Sequence, residues 1–112
     1  MTDVFQILAD PTRRRIVEAL RTGERSVNEL VEAVDIGQPG VSRQLSILHD
    51  AGWVTVQPAG RRRLYALRPE PFQELDGWMN RYRAVWEARL DKFAAELERR
   101  RKAKTKGRER LR

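Results

Sequence analysis

The chain has 112 residues, of which 40% are hydrophobic and 35% charged, which is enough for one domain with a single core. It holds no cysteine and one histidine, so disulfides and thiolate chemistry are excluded and most metal and acid/base designs are removed. We therefore expect neither an enzyme nor a cofactor. We see no apolar run of about 18 residues and no signal peptide, and expect a cytoplasmic protein without membrane contact.

The first half of the chain predicts three helices. Asp10 and Pro11 mark the start of the second helix, because the carboxylate can cap free amides and proline suits the first helical turn. Ser26 and Glu29 have the spacing of a capping box, which predicts the start of a third helix. We expect that helix to end near residues 35–37.

A fourth helix is predicted over about residues 39–51, after the break at residues 38–40. Val41, Leu45 and Leu48 share one face at helical spacing, whereas Ser42 and Arg43 point elsewhere. Two short helices joined by a turn that contains glycine, the second with small polar and basic side chains near its start, describe a helix-turn-helix.

Two runs of β-prone residues follow, at 53–56 and 64–67, around a segment at 57–63 that contains proline, glycine and three arginines. They predict a β-hairpin with a basic tip. A helix-turn-helix followed by a basic hairpin is the winged-helix arrangement, so the fold class expected is mostly α with a small β-hairpin. We call the hairpin the wing.

The polar residues of the fourth helix and the wing are candidates for DNA contact. Short or flexible hydrogen-bonding side chains can enter a major groove, and arginine suits both phosphate and minor groove. The candidates are Ser42, Arg43, Gln44, Ser46, Arg61, Arg62 and Arg63. The alternative is an ordinary solvated surface.

A long amphipathic helix is predicted over about residues 71–97. At 1.5 Å per residue it would be roughly 40 Å long, more than a domain of this size is wide. A second copy of the chain is the simplest cover for its apolar face. The predicted dimer residues on this helix are Phe72, Leu75, Met79, Tyr82, Trp86 and Phe93. Its aromatic residues, Trp78 included, could instead line a pocket for an unknown small-molecule effector.

Four segments resemble the ArsR/SmtB family of bacterial winged-helix repressors: LADPTRRRI at 8–16, SVNEL at 26–30, QPGVSRQLSILHDAGWV at 38–54 and GRRRLY at 60–65. The resemblance implies a homodimer that binds an inverted-repeat operator in double-stranded DNA and represses transcription. It implies that Gln38 joins the DNA-reading residues. It also implies that the first helix, with Phe5 and Leu8, joins the dimer interface.

The chain differs from the metal-sensing members of the ArsR/SmtB family at the positions of their metal ligands. Where such sensors place a cysteine pair, residues 29–34 read ELVEAV, and the last helix has no histidine for the other type of sensor. The single histidine, His49, has no neighbouring ligand pattern. We therefore expect no metal site and no response to metal.

The net charge of +7 comes from the end of the chain. Residues 98–112 hold nine basic and two acidic residues, so residues 1–97 are neutral overall. We expect a folded domain at 1–97 and a disordered polybasic tail at 98–112, which either adds sequence-independent DNA affinity or is simply solvated. A second interpretation of the whole chain is a winged-helix protein-interaction module whose DNA face is unused.

Overall fold

The computed structural model describes residues 3–110 and the side chains of residues 3–105. This part of the chain is mostly helical with a small antiparallel sheet, which confirms the predicted fold class. In chain order the elements are α1 (Val4–Ala9), α2 (Pro11–Leu20), β1 (Arg25–Ser26), α3 (Val27–Val34), α4 (Gln38–Asp50), β2 (Val54–Ala59), β3 (Arg62–Leu67) and α5 (Glu70–Arg110).

The helix starts are capped as the sequence predicts. The Asp10 carboxylate accepts hydrogen bonds from the backbone N–H groups of Thr12 at 2.8 Å and Arg13 at 3.2 Å. At α3, the Glu29 N–H donates to the Ser26 hydroxyl, and the Ser26 N–H donates to the Glu29 carboxylate at 3.0 Å. Each such cap stabilises a helix by about 1 kcal/mol, so local sequence fixes where α2 and α3 begin.

The turn between α3 and α4 depends on backbone conformations that few residues adopt. Asp35 ends α3 in the left-handed region, with φ of 54°, within the predicted range. Gly37 then caps α4. A Cβ atom on Gly40 would lie 3.3 Å from the Ile36 side chain, so glycine lets the turn pack closely against the first residues of α4.

The hydrophobic core lies among α1 to α4 and the base of the wing. Val41, Leu45 and Leu48 are 0% exposed, which confirms the predicted inner face of α4. Trp53 closes this core beside the wing and meets the Phe72 ring edge-on, with ring centroids 5.3 Å apart. The core therefore holds α4 in a fixed orientation.

The wing is longer than the sequence indicated. The strands β2 and β3 pair up to Ala59 and Arg62, and the turn consists only of Gly60 and Arg61. Gly60 has φ of 63°, the sign that a two-residue hairpin turn requires at its first position. Arg62 and Arg63, predicted at the tip, are therefore strand residues.

A third strand was not predicted. β1 pairs with β3, with Arg25 opposite Tyr65, so the strand order is β1-β3-β2. β3 is central, and Pro58 lies on the edge strand β2 opposite Arg63. A two-residue strand has too short a pattern for sequence reasoning to detect.

α5 runs from Glu70 to Arg110, past the predicted helix end at residue 97 and into the segment expected to be disordered. Its 41 residues correspond to about 60 Å of helix. Glu96 pairs with Arg99 and Arg100, one turn away, and such pairs favour the helix in a basic segment. Residues 111 and 112 lie outside the described part of the chain.

The chain divides into two compact units, Met1–Leu75 and Asp76–Arg112. The first contains the core, the sheet and the start of α5. The described part of the second unit is the rest of α5. The domain boundaries at 1–97 and 98–112 stay a prediction.

Candidate nucleic-acid interface

α4 presents a polar face opposite its buried face. Gln38, Ser42, Arg43 and Ser46 are exposed, and Gln44 is half-buried. Because the inner face of α4 is anchored in the core, the backbone positions that carry these side chains are fixed along one surface. We call this surface the polar face of α4.

The wing arginines lie close to the start of α4. A groove of about 250 Å³ runs between the wing and the first turns of α3 and α4. Its lining residues are Ser26, Val27, Asn28, Gln38, Arg61, Arg62 and Arg63. The structure thus brings together the three wing arginines and Gln38, which are more than 20 positions apart in sequence.

The charge of this groove is positive and largely uncompensated. The side chains of Arg43, Arg61 and Arg63 form no hydrogen bond or ion pair with any described residue. Glu29 is the nearby acid: the hydrogen bond from the Ser26 backbone N–H lowers its pKa, and the charges of Arg25 and Arg62 lower it further. Free guanidinium groups beside exposed hydrogen-bonding side chains suit a polyanion with readable edges.

Two of the three basic residues at 13–15, Arg13 and Arg14, form hydrogen bonds within the protein instead. Arg13 donates to the carbonyl oxygens of Gln6 and Ile7, each at 3.1 Å, and Arg14 donates to that of Leu8 at 3.1 Å. These are carbonyls of the last turn of α1, which have no partner inside the helix. Arg13 and Arg14 therefore cap the C-terminal end of α1 by satisfying its free carbonyl groups.

Sequence reasoning missed two residues near the polar face of α4. Asn28 lines the groove with the wing arginines, and Arg13 donates to the Gln44 side chain at 3.4 Å. The capping box shows that Asn28 lies in the first turn of α3, but no local signal places it beside the wing. The Arg13 contact spans 31 residues and had no local signal.

The predicted dimer residues differ in their surroundings. Five are exposed to 46% or more: Phe5, Met79, Tyr82, Trp86 and Phe93. Leu8 and Leu75 are half-buried and pack against the core of their own chain, and Phe72 is 38% exposed while it touches Trp53. On the second unit, Trp78 and Tyr82 have ring centroids 5.0 Å apart.

Potential metal ligands are scattered over the described residues. No three of their histidine, aspartate or glutamate side chains lie together in a way that could hold a metal ion. His49 lies 3.8 Å from the Asp50 carboxylate on the surface. In the described part of the chain we also find no helix that is both long and apolar enough to span a membrane.

These features define the class of protein. A helix-turn-helix, a wing and a positive groove between them form a winged helix-turn-helix DNA-binding domain. Residues 10–56 match the family described as bacterial regulatory protein, arsR family. The chain belongs to this family, and it is a DNA-binding transcriptional regulator, not an enzyme.

Known proteins agree with this assignment over most of the chain. The HTH-type transcriptional regulator Rv2034 of Mycobacterium tuberculosis is 39% identical over 90 residues, which cover 80% of this chain and 81% of that protein. The transcriptional repressor SdpR of Bacillus subtilis is 32% identical over 70% of this chain and 88% of its own. The crystal structure of a possible transcriptional regulator for arsenical resistance is 34% identical, with a TM-score of 0.66 over 73% of this chain and 85% of that one.

Proposed function

We propose that this protein is a cytoplasmic, homodimeric repressor that binds an inverted-repeat operator. The observation that carries the proposal is the positive groove in which the start of α4 meets the three wing arginines. The proposed DNA contacts are Gln38, Ser42, Arg43, Gln44, Ser46, Arg61, Arg62 and Arg63. An interaction module that did not use DNA would have no need for uncompensated arginines at both elements.

The α4 helix and the wing would have different roles in DNA binding. The side chains of α4 are short or amide-bearing, which suits base edges in a major groove, with Arg43 able to pair with guanine. The wing arginines are exposed strand and turn residues that suit phosphates or a minor groove. Sequence discrimination would therefore come mainly from α4, and salt-dependent affinity mainly from the wing.

A dimer is supported by the exposed apolar side chains of α1 and α5. Trp86 is 61% exposed and Phe93 is 62% exposed, and exposed large side chains that recur along a helix mark an interaction surface. A symmetric pair of winged helices matches a pseudo-palindromic operator, because protein and DNA then share a two-fold axis.

The regulator is proposed not to respond to metal ions. Thiolates are the ligands that soft metals prefer, and the chain has no cysteine. Its one histidine lies beside a single carboxylate. A signal other than a metal would then release the operator.

The test is binding to the DNA upstream of the protein's own gene, compared with random DNA of equal length. We expect Arg43→Ala to lower the ratio of operator affinity to random-DNA affinity about 5- to 150-fold. This corresponds to the roughly 1 to 3 kcal/mol of discrimination that one base contact provides. Arg21→Ala, which removes an exposed arginine at the end of α2, is the matched control and should leave the ratio unchanged. If the wild-type chain does not distinguish the two DNAs, the proposal is wrong.

A further inference from the structure

Arg13 connects α1, the start of α2 and the polar face of α4. Its side chain is 17% exposed. Nε donates to the Ile7 carbonyl and Nη2 to the Gln6 carbonyl, each at 3.1 Å, while Nη1 lies 3.6 Å from the Asp10 carboxylate. The same Nη1 donates to Oε1 of Gln44 at 3.4 Å. The contacts with α1 and Asp10 therefore fix the guanidinium group independently of its contact with Gln44.

This contact sets the orientation of the Gln44 amide. A guanidinium group has only N–H donors, so the amide must present its oxygen to Arg13. The amide nitrogen, with two N–H groups, is then the end of the side chain left for another partner. Gln44 is half-buried, whereas its neighbours on the polar face, Arg43 and Ser46, are exposed.

The orientation limits which base Gln44 can recognise. A glutamine reads adenine with both ends of its amide, accepting from N6 and donating to N7. With Oε1 directed at the corner between α1 and α2, only the donor end can face DNA. Guanine presents two neighbouring acceptors, O6 and N7, in the major groove, so a donor-only amide matches guanine.

We propose that Arg13 is a positioning residue for DNA specificity, which turns Gln44 into a donor-only reader of a guanine acceptor edge. The inference rests on the proposed function, because it requires α4 to lie in a major groove. It assigns Arg13 a role in operator choice although its guanidinium group is occupied by the protein itself.

The experiment is selection of bound sequences from a random DNA library with the full-length chain. Gln44→Ala identifies the base pair read at position 44, as the one whose preference is lost. We expect the wild-type chain to select guanine there. Lysine is a compact donor that cannot hold the α1 carbonyls and Gln44 together, so Arg13→Lys should free the amide and raise the adenine-to-guanine ratio about fivefold or more.

Two further variants separate positioning from folding. Arg14→Lys is the matched control, because it disturbs a bond to the α1 carbonyl of Leu8 without touching Gln44, and it should leave the preference unchanged. Gln44→Glu keeps an acceptor for Arg13 but has no donor, so it should lose the guanine preference while its melting temperature stays within a few degrees of the wild-type value.

The outcomes distinguish this inference from the proposed function. If the wild-type chain enriches no sequence, the proposed function fails and the inference fails with it. If an operator is enriched but position 44 selects adenine, or Arg13→Lys selects the same base as the wild-type chain, only the inference is overturned. Should Arg13→Lys not fold, a guanine preference that persists in Gln44→Glu overturns it.

Discussion

α4 and α5 are both amphipathic, but only α4 buries its apolar face within the described chain. Val41, Leu45 and Leu48 of α4 are fully buried, whereas the large apolar residues of α5 from Trp78 onward are exposed to 39% or more. The same kind of sequence pattern thus has two structural outcomes. Hydrophobic spacing predicts an apolar face on a helix, and the structure shows whether the same chain buries that face.

The strongest test of this difference is a charge placed on the apolar face of α5. If a second copy covers that face, Trp86→Glu should abolish the dimer, because it leaves an unpaired charge in a buried interface. Operator affinity should fall with it, since two linked winged helices no longer engage two half-sites. Sedimentation at several protein concentrations, beside a gel shift, measures both effects.

Two controls make this test specific. Glu87→Gln changes the charge of a neighbouring exposed residue and should leave the dimer intact. Leu45→Ala, in the internal core, should lower the free energy of unfolding by about 2 to 5 kcal/mol through loss of packing inside each chain. If Trp86→Glu changed stability by less than about 0.5 kcal/mol and left sedimentation unchanged, as for an ordinary surface position, the dimer proposal would fail.

A smaller effect is expected at the wing, which contributes three arginines to the proposed interface, whereas α4 contributes one, Arg43. Arg62→Ala should weaken binding to operator and random DNA alike. It should also reduce the slope of log affinity against log salt by about 0.9, the value for one phosphate contact. Arg62→Lys keeps the charge and serves as the control. A loss of sequence discrimination without a change in slope would assign Arg62 to base reading instead.

The smallest effect concerns the capped starts of α2 and α3. Hydrogen bonds from backbone N–H groups lower the pKa of Asp10 below its ordinary value of 3.8 and that of Glu29 below 4.5. A lowered pKa in the folded state means that the charged carboxylate stabilises the fold above pH 4.5 and that this stabilisation is lost as pH falls through the folded value. We therefore expect stability to be level near neutral pH and to decline below pH 4.5.

Glu29→Gln provides the comparison, because glutamine can still accept a hydrogen bond in the capping box but carries no charge. It should be less stable than the wild-type chain at pH 7 and closer to it at pH 3. Urea unfolding at the two pH values measures this. An equal difference in unfolding free energy between the two chains at pH 7 and at pH 3 would show that the charge of Glu29 does not cause the loss of stability.

Short-range features of the fold could be predicted from the sequence, and long-range ones could not. Asp10, Ser26 and the buried face of α4 follow from caps and helical spacing within a few residues. β1 and the bond from Arg13 to Gln44 depend on segments about 30 to 40 residues apart. The helical path of residues 98–110 was missed because we judged it by its lack of apolar spacing, although Glu96 and Glu98 supply pairs for its arginines.

The edges of the sheet have a consequence for how copies of this protein can associate. On one edge β1 offers only two residues, and on the other β2 carries Pro58, which has no N–H to donate. Another chain therefore finds little backbone to extend the sheet by strand addition. Even at the high local concentration reached on DNA, the wings of neighbouring molecules should resist β-aggregation, and self-association is left to helices.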